Sequence, residues 1–241
     1  KTIYDPVQNA GREYGDATFL RYEDNDVIYD VSFAQFAAQC QSIASWVRAQ
    51  EARLGRKIHV ALLGTSSHHY LAVLLGVMCA GSVSVPLDIQ VNLDTLTDCL
   101  NRSDVDILFY DWEQHTLAEA AFERCPGLSS CISLQHGRHA YCSDNILKEY
   151  SGQSVLPGAG PEDLAMILFT SGTTGKGKGV MLSQKNLFTA MPAAGGAGGE
   201  EDGAEGFRIQ GHFVVQVATL FIELLALFLP LVELSHTEAI L

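Results

Sequence analysis

The chain has 241 residues, enough for one large domain or two small ones with a substantial core. Hydrophobic residues make up 47% and charged residues 18%, which excludes a disordered or collagen-like chain and fits a mixed α/β protein. Fifteen Lys and Arg against 28 Asp and Glu leave a net charge of -13, a field that repels nucleic acid and anionic membranes while leaving room for a local basic pocket.

In chain order, the first strong signal is Ser32 with Gln35 three residues on, a capping box. It opens a helix through about Gln50 whose apolar face carries Phe33, Phe36, Ala37, Ile43, Ala44 and Val47. Residues 57–63 read as a buried strand. Residues 64–67 then turn into an apolar helix over 68–80, which Gly81 ends in the left-handed conformation open to glycine. A strand over 82–85 follows and Pro86 ends it. The pattern repeats as helix 93–101, strand 106–110, helix 116–124 and strand 130–134. Such alternation predicts a three-layer α/β architecture, a parallel sheet covered by helices on both faces.

A further apolar strand, 164–169, runs straight into TSGTTGKGKGV, residues 170–180. Ligands of open α/β sheets gather beyond the carboxyl ends of the strands, so this loop occupies a ligand-binding position. Gly172, Gly175, Gly177 and Gly179 let backbone N–H groups converge. Thr170, Ser171, Thr173 and Thr174 add hydroxyls, and Lys176 or Lys178 offsets phosphate charge. A surface hinge does not need all three. Gly172 to Lys178 nearly spells a Walker A loop, but Gly179 stands where that motif has Ser or Thr. Val180, Met181 and Leu182 then form a short apolar run before Ser183, which caps a helix over Lys185, Asn186, Leu187 and Phe188. The loop therefore reads as a strand-to-strand phosphate grip rather than a strand-to-helix P-loop.

Residues 1–192 form one α/β region ending in the loop and its helix. Residues 193–206, AAGGAGGEEDGAEG, are a glycine-rich acidic linker, and 207–241 are an apolar, incomplete continuation of the same domain. Gln216, Glu223 and Pro230 interrupt the apolar run 212–234, so buried helix and strand are expected there rather than a membrane span. Cys40, Cys79, Cys99, Cys125, Cys131 and Cys142 are scattered with no C-x-x-C pair, which predicts free thiols, no metal cage and a cytoplasmic location. The stretch from Lys1 does not read as a signal peptide, and with no initiator Met a processed or trimmed chain is expected.

The remaining polar candidates have plain structural readings. His68 and His69 are adjacent at a helix start, should point in different directions, and have no acid partner that spacing can locate. His136 and His139 belong to a solvated loop. Asp104, Asp106 and Asp111 read as solvated strand ends, and Glu200, Glu201, Asp202 and Glu205 as a solvated acidic loop.

TSGTTGKGKGV resembles the phosphate-binding signature of the adenylate-forming (AMP-binding) superfamily, with Gly177 where that signature has proline. HVALLGTSSHHYLAVLLGVMCAGSVSVPLD, residues 59–88, is similar to the same family's strand, helix, glycine turn and strand. The resemblance runs from about Tyr14 to Thr189. It implies that Thr170, Ser171, Gly172, Thr173, Thr174, Gly175, Lys176 and Lys178 bind ATP phosphates, with magnesium accompanying ATP. It also implies that a carboxylic acid is activated to an acyl-adenylate and passed to the thiol of coenzyme A or phosphopantetheine. This is the chemistry of an acyl-CoA synthetase-like acid-thiol ligase. The adenine, ribose and metal motifs and the lysine-bearing terminal domain of that family match no residues here, and LSH at 234–236 echoes its histidine segment only loosely. The chain is therefore expected to be an amino-terminal fragment, truncated and without turnover alone. The alternative is a noncatalytic nucleotide-binding or interaction module that retains the loop.

Overall fold

The computed structural model describes residues 1–24, 27–65, 67–135, 141–170 and 178–190. In chain order these form α1 (Tyr4–Tyr14), β1 (Thr18–Asp24), β2 (Val27–Ser32), α2 (Phe33–Leu54), β3 (His59–Leu63), α3 (His68–Cys79), β4 (Val83–Leu87) and α4 (Leu93–Arg102). There follow β5 (Ile107–Tyr110), α5 (His115–Arg124), β6 (Ser130–Ser133), α6 (Ser143–Glu149), β7 (Leu164–Thr170), β8 (Lys178–Ser183) and α7 (Gln184–Ala190). The main sheet has the order β6-β5-β3-β4-β7-β8, while β1 and β2 form a separate antiparallel pair. Five of its strands run parallel, and β8 alone reverses, pairing antiparallel with β7.

Strand alternation sends neighbouring residues into two cores. Val60, Leu62, Ile107 and Phe109 pack on one face with residues of α2 and α3, including Ile43, Trp46, Val73 and Leu74. Ala61, Leu63, Leu108 and Tyr110 pack on the other with Leu96 and Leu100 of α4 and Ala118 and Ala121 of α5. The period of two in strands flanked by helices produces the three layers. Trp46 meets Phe109 edge-on, with ring centroids 5.5 Å apart, closing the first core over the sheet.

The capping box forms as expected. Gln35 N–H donates to Ser32 Oγ at 3.1 Å and Ser32 N–H donates to Gln35 Oε1 at 2.8 Å. The helix runs past Gln50 to Leu54, and Gly55 at φ 72 ends it in the left-handed region. Gly81, at φ 79, likewise turns the chain out of α3. Pro86 does not end β4. It lies inside the strand as the register partner of Leu62, and β4 pairs with β7 only at Ser84 with Met166, so the ladder on that side ends before it. A strap after α6 ties α1 to α2. Val155 N–H donates to Gln41 Oε1 at 2.8 Å, and Tyr4 Oη donates to the Val155 carbonyl at 3.0 Å.

Asp106 and Asp111 are buried, each 2% exposed, and are not the solvated strand ends that the sequence suggests. Asp106 receives both guanidinium nitrogens of Arg56 and the backbone N–H of His59. Asp111 Oδ2 receives the backbone N–H of Thr65 at 2.6 Å and its hydroxyl at 2.8 Å. Spacing along one strand cannot reveal partners that come from another, which is why both carboxylates read as solvated. Asp104 instead occupies a turn at φ 47. The six cysteines are free, and all but Cys131 are buried.

Candidate phosphate-binding site

Four parallel strands, β3, β4, β5 and β7, deliver their carboxyl ends to one edge of the sheet. The order also reverses there: β3 is followed by β4 on one side and then by β5 on the other, which makes a topological switch point. At this edge β7 reaches Thr170 and β8 starts at Lys178. The two residues are register partners across the mouth of the hairpin.

The strand-to-strand reading therefore holds. A Walker A lysine opens a helix, whereas Lys178 opens a strand whose partners run Lys178 with Thr170, Gly179 with Phe169 and Val180 with Leu168. The Lys178 side chain is exposed at the mouth. Gly179, in the position of the Walker hydroxyl, is a strand residue facing Ile167 and the Phe169 ring; a Cβ there would stand 3.4 Å from each. Ser171, Gly172, Thr173, Thr174, Gly175 and Lys176 lie outside the described residues, as does Gly177. The structure thus brings Thr170 and Lys178 together and fixes the strands that carry the rest.

The hairpin is held rigidly from its exit side. Ser183 N–H donates to Asn186 Oδ1 at 3.0 Å and Asn186 N–H donates to Ser183 Oγ at 3.1 Å, so the expected cap of α7 is reciprocal. Gln184 is fully buried. Its Oε1 receives Ile3 N–H at 2.9 Å and its Nε2 donates to the Met78 carbonyl at 3.0 Å, tying α7 to the amino terminus and to α3. On the opposite face the Arg102 guanidinium lies over the Phe169 ring, 5.5 Å from its centroid, one residue before Thr170. Sequence reasoning missed Gln184 and Arg102. A glutamine and an arginine carry no periodic signal, and each acts across more than 60 residues of chain.

His68 and His69 depart from expectation. Their rings touch, with centroids 3.7 Å apart, and His69 Nε2 lies 2.8 Å from Asp144 Oδ1 of α6. His68 also stacks on Tyr22 of β1 at 4.2 Å. An acid partner exists, then, but it comes from α6, 75 residues away. Burial first, and then the neighbouring His69, bring the His68 imidazole down to about 4 from its usual 6.5. Burial, with the Asp111 carboxylate behind it, pushes the Tyr70 phenol up and keeps it protonated. His136, His139, Glu200, Glu201, Asp202, Glu205 and His236 lie outside the described residues, as do the linker 193–206 and the continuation 207–241.

The profile of the AMP-binding enzyme family matches residues 7–223. The chain belongs to that family. Among relatives of this AMP-binding chain, the indoleacetate–CoA ligase of Aromatoleum aromaticum is 30% identical over 187 residues, covering 75% of this chain and 34% of that protein. The nonribosomal peptide synthetase agiA of Aspergillus flavus is 26% identical over 189 residues, 77% of this chain and 2% of that one. A solved structure of the anthranilate CoA ligase AuaEII in complex with anthranoyl-AMP superposes with a TM-score of 0.67 at 17% identity. That match covers 80% of this AMP-binding chain and 36% of the other. The fold is that of the amino-terminal domains of adenylate-forming enzymes. The chain spans about a third of the ligases it matches and a small fraction of the synthetase. Among the described residues no helix is long and apolar enough to cross a membrane.

Proposed function

We propose that the segment Thr170, Ser171, Gly172, Thr173, Thr174, Gly175, Lys176 and Lys178 grips the phosphates of ATP in an enzyme that activates a carboxylic acid as its acyl-adenylate. The observation that carries this reading is the hairpin at the carboxyl edge of a parallel sheet, with Thr170 paired to Lys178 at its mouth, in a chain of the AMP-binding family. The residues fit the ligand. An exposed cation stands at the mouth, and the loop between the strands is rich in glycine and hydroxyl groups. Lys178 offsets charge on the β- and γ-phosphates as the carboxylate attacks the α-phosphorus, and magnesium travels with the nucleotide. Coenzyme A or a phosphopantetheine thiol is the proposed acceptor, in line with a relative that is a CoA ligase and another that is a peptide synthetase.

Phosphate binding is proposed for these residues, and adenylation for the whole enzyme that carries them; adenine, ribose and thiol are assigned to none of the described residues. Incubation of the whole enzyme that carries this chain with ATP, magnesium and a panel of aliphatic, aryl and amino acids, with hydroxylamine as the trap, tests it. Acid-dependent pyrophosphate and hydroxamate are expected. Inorganic phosphate without pyrophosphate would mean a hydrolase, and nucleotide binding with neither product would favour a noncatalytic module.

A further inference from the structure

The β1–β2 hairpin is held differently at its two ends. Its inner end is packed into the core: Val31 is buried, and Phe19 lies 5.0 Å from the Phe33 ring and 4.6 Å from the Phe36 ring. Its outer half is mostly in solvent, with Val27, Ile28 and Tyr29 exposed at 49%, 64% and 44% and the Arg21–Asp30 ion pair on the open face. What carries this half onto α3 is a run of rings. Tyr29 stacks on Tyr22 at 5.3 Å and 16°, Tyr22 stacks on His68 at 4.2 Å and 18°, and His68 touches His69 at 3.7 Å. Asp144 ends the run on His69 Nε2.

We propose that this stack is an acid-sensitive latch, which holds the outer half of the hairpin against the start of α3 while His68 is neutral and releases it when His68 takes a proton. Among the described residues, the titratable groups facing His68 are His69 on α3, Asp144 on α6 and the Tyr22 phenol on β1, with Tyr29 of β2 behind it. Three influences oppose a charge on His68: the loss of water, a second imidazole in contact, and the amide end of α3 on which it stands. Asp144 favours the charge but is spent on His69, and the Tyr22 face returns only a modest cation–π term. A protonated His68 relieves all three by swinging into water, and the Tyr22 stack is lost with it.

The sign follows from linkage. The latched ring titrates near 4 and a released one near 6.5, so the latch is intact above 6.5 and weakens as pH falls from 6.5 towards 4. Full linkage would raise the opening equilibrium ~30-fold at pH 5, and partial solvation of the ring reduces this to roughly tenfold. Hydroxyl-radical footprinting of the full chain between pH 8 and pH 4 reads the opening at the Tyr22 ring, which the latch covers with His68. Labelling of Tyr22 should rise by up to about tenfold by pH 5 while labelling of the buried Phe33 and Phe36 holds. His68→Phe keeps a stacking ring without a proton site and should abolish the pH response. His68→Ala should leave Tyr22 readily labelled at every pH. A Tyr22 ring whose labelling does not change with pH, or one that responds equally in His68→Phe, would overturn the latch.

Discussion

Lys178 and Asp106 stand at opposite ends of the sheet and show two different uses of charge. Lys178 is exposed at the carboxyl edge, where its charge can meet a ligand without a large desolvation cost. Asp106 is buried at the amino edge, just before β5, and its cost of burial is offset by the Arg56 guanidinium and the His59 amide. Removing that carboxylate strands the His59 amide, while the Arg56 guanidinium, 56% exposed, returns to water. Asp106→Ala should therefore lower stability by about 2 kcal/mol, read as a shift of the urea midpoint with an unchanged slope. Nucleotide binding should survive in the folded fraction, since the ligand edge lies at the far end of the strands. A change below about 0.5 kcal/mol would show that the pair is solvated after all.

The hairpin of β7 and β8 carries the proposed phosphate grip, and α7 anchors it through Gln184. Gln184→Leu matches the side chain in size but leaves the Ile3 amide without its acceptor, while the Met78 carbonyl keeps the Gly81 N–H. We expect a loss of about 2 kcal/mol in chemical denaturation, together with amide exchange in β8 that speeds up relative to the parent more than in β3. Equal acceleration in the two strands would detach Gln184 from the hairpin. The elements that the sequence announces are those with a local signal: the Ser32–Gln35 box, the apolar strands, and the run Val180 to Leu182 that separates this loop from a Walker A site. α1, α6 and the β1–β2 pair gave no such signal, because α1 and α6 are short or largely polar and the outer face of the β1–β2 pair is solvated. Pro86 misled for a related reason, since whether a strand tolerates proline depends on its neighbour's ladder and not on the strand itself.

At the scale of the molecule, two cores on opposite faces of one sheet hold four strand ends level, so that the turn after β3, Asp111 after β5 and the mouth of the β7–β8 hairpin share one edge. That edge was legible from alternation and from a single loop. The partners that fix it were not, because Asp144, Arg102 and Gln184 reach their contacts from distant parts of the chain. The hairpin mouth is proposed to grip triphosphate through Lys178. Titration calorimetry of the full chain with ATP and magnesium, beside Lys178→Ala, puts this to the test. Saturable heat is predicted, with affinity falling at least about tenfold in the variant as a charge-assisted bond is lost, while the unfolding free energy stays within about 0.5 kcal/mol of the parent. No heat at millimolar ATP, or equal affinity in the two proteins, would contradict the claim.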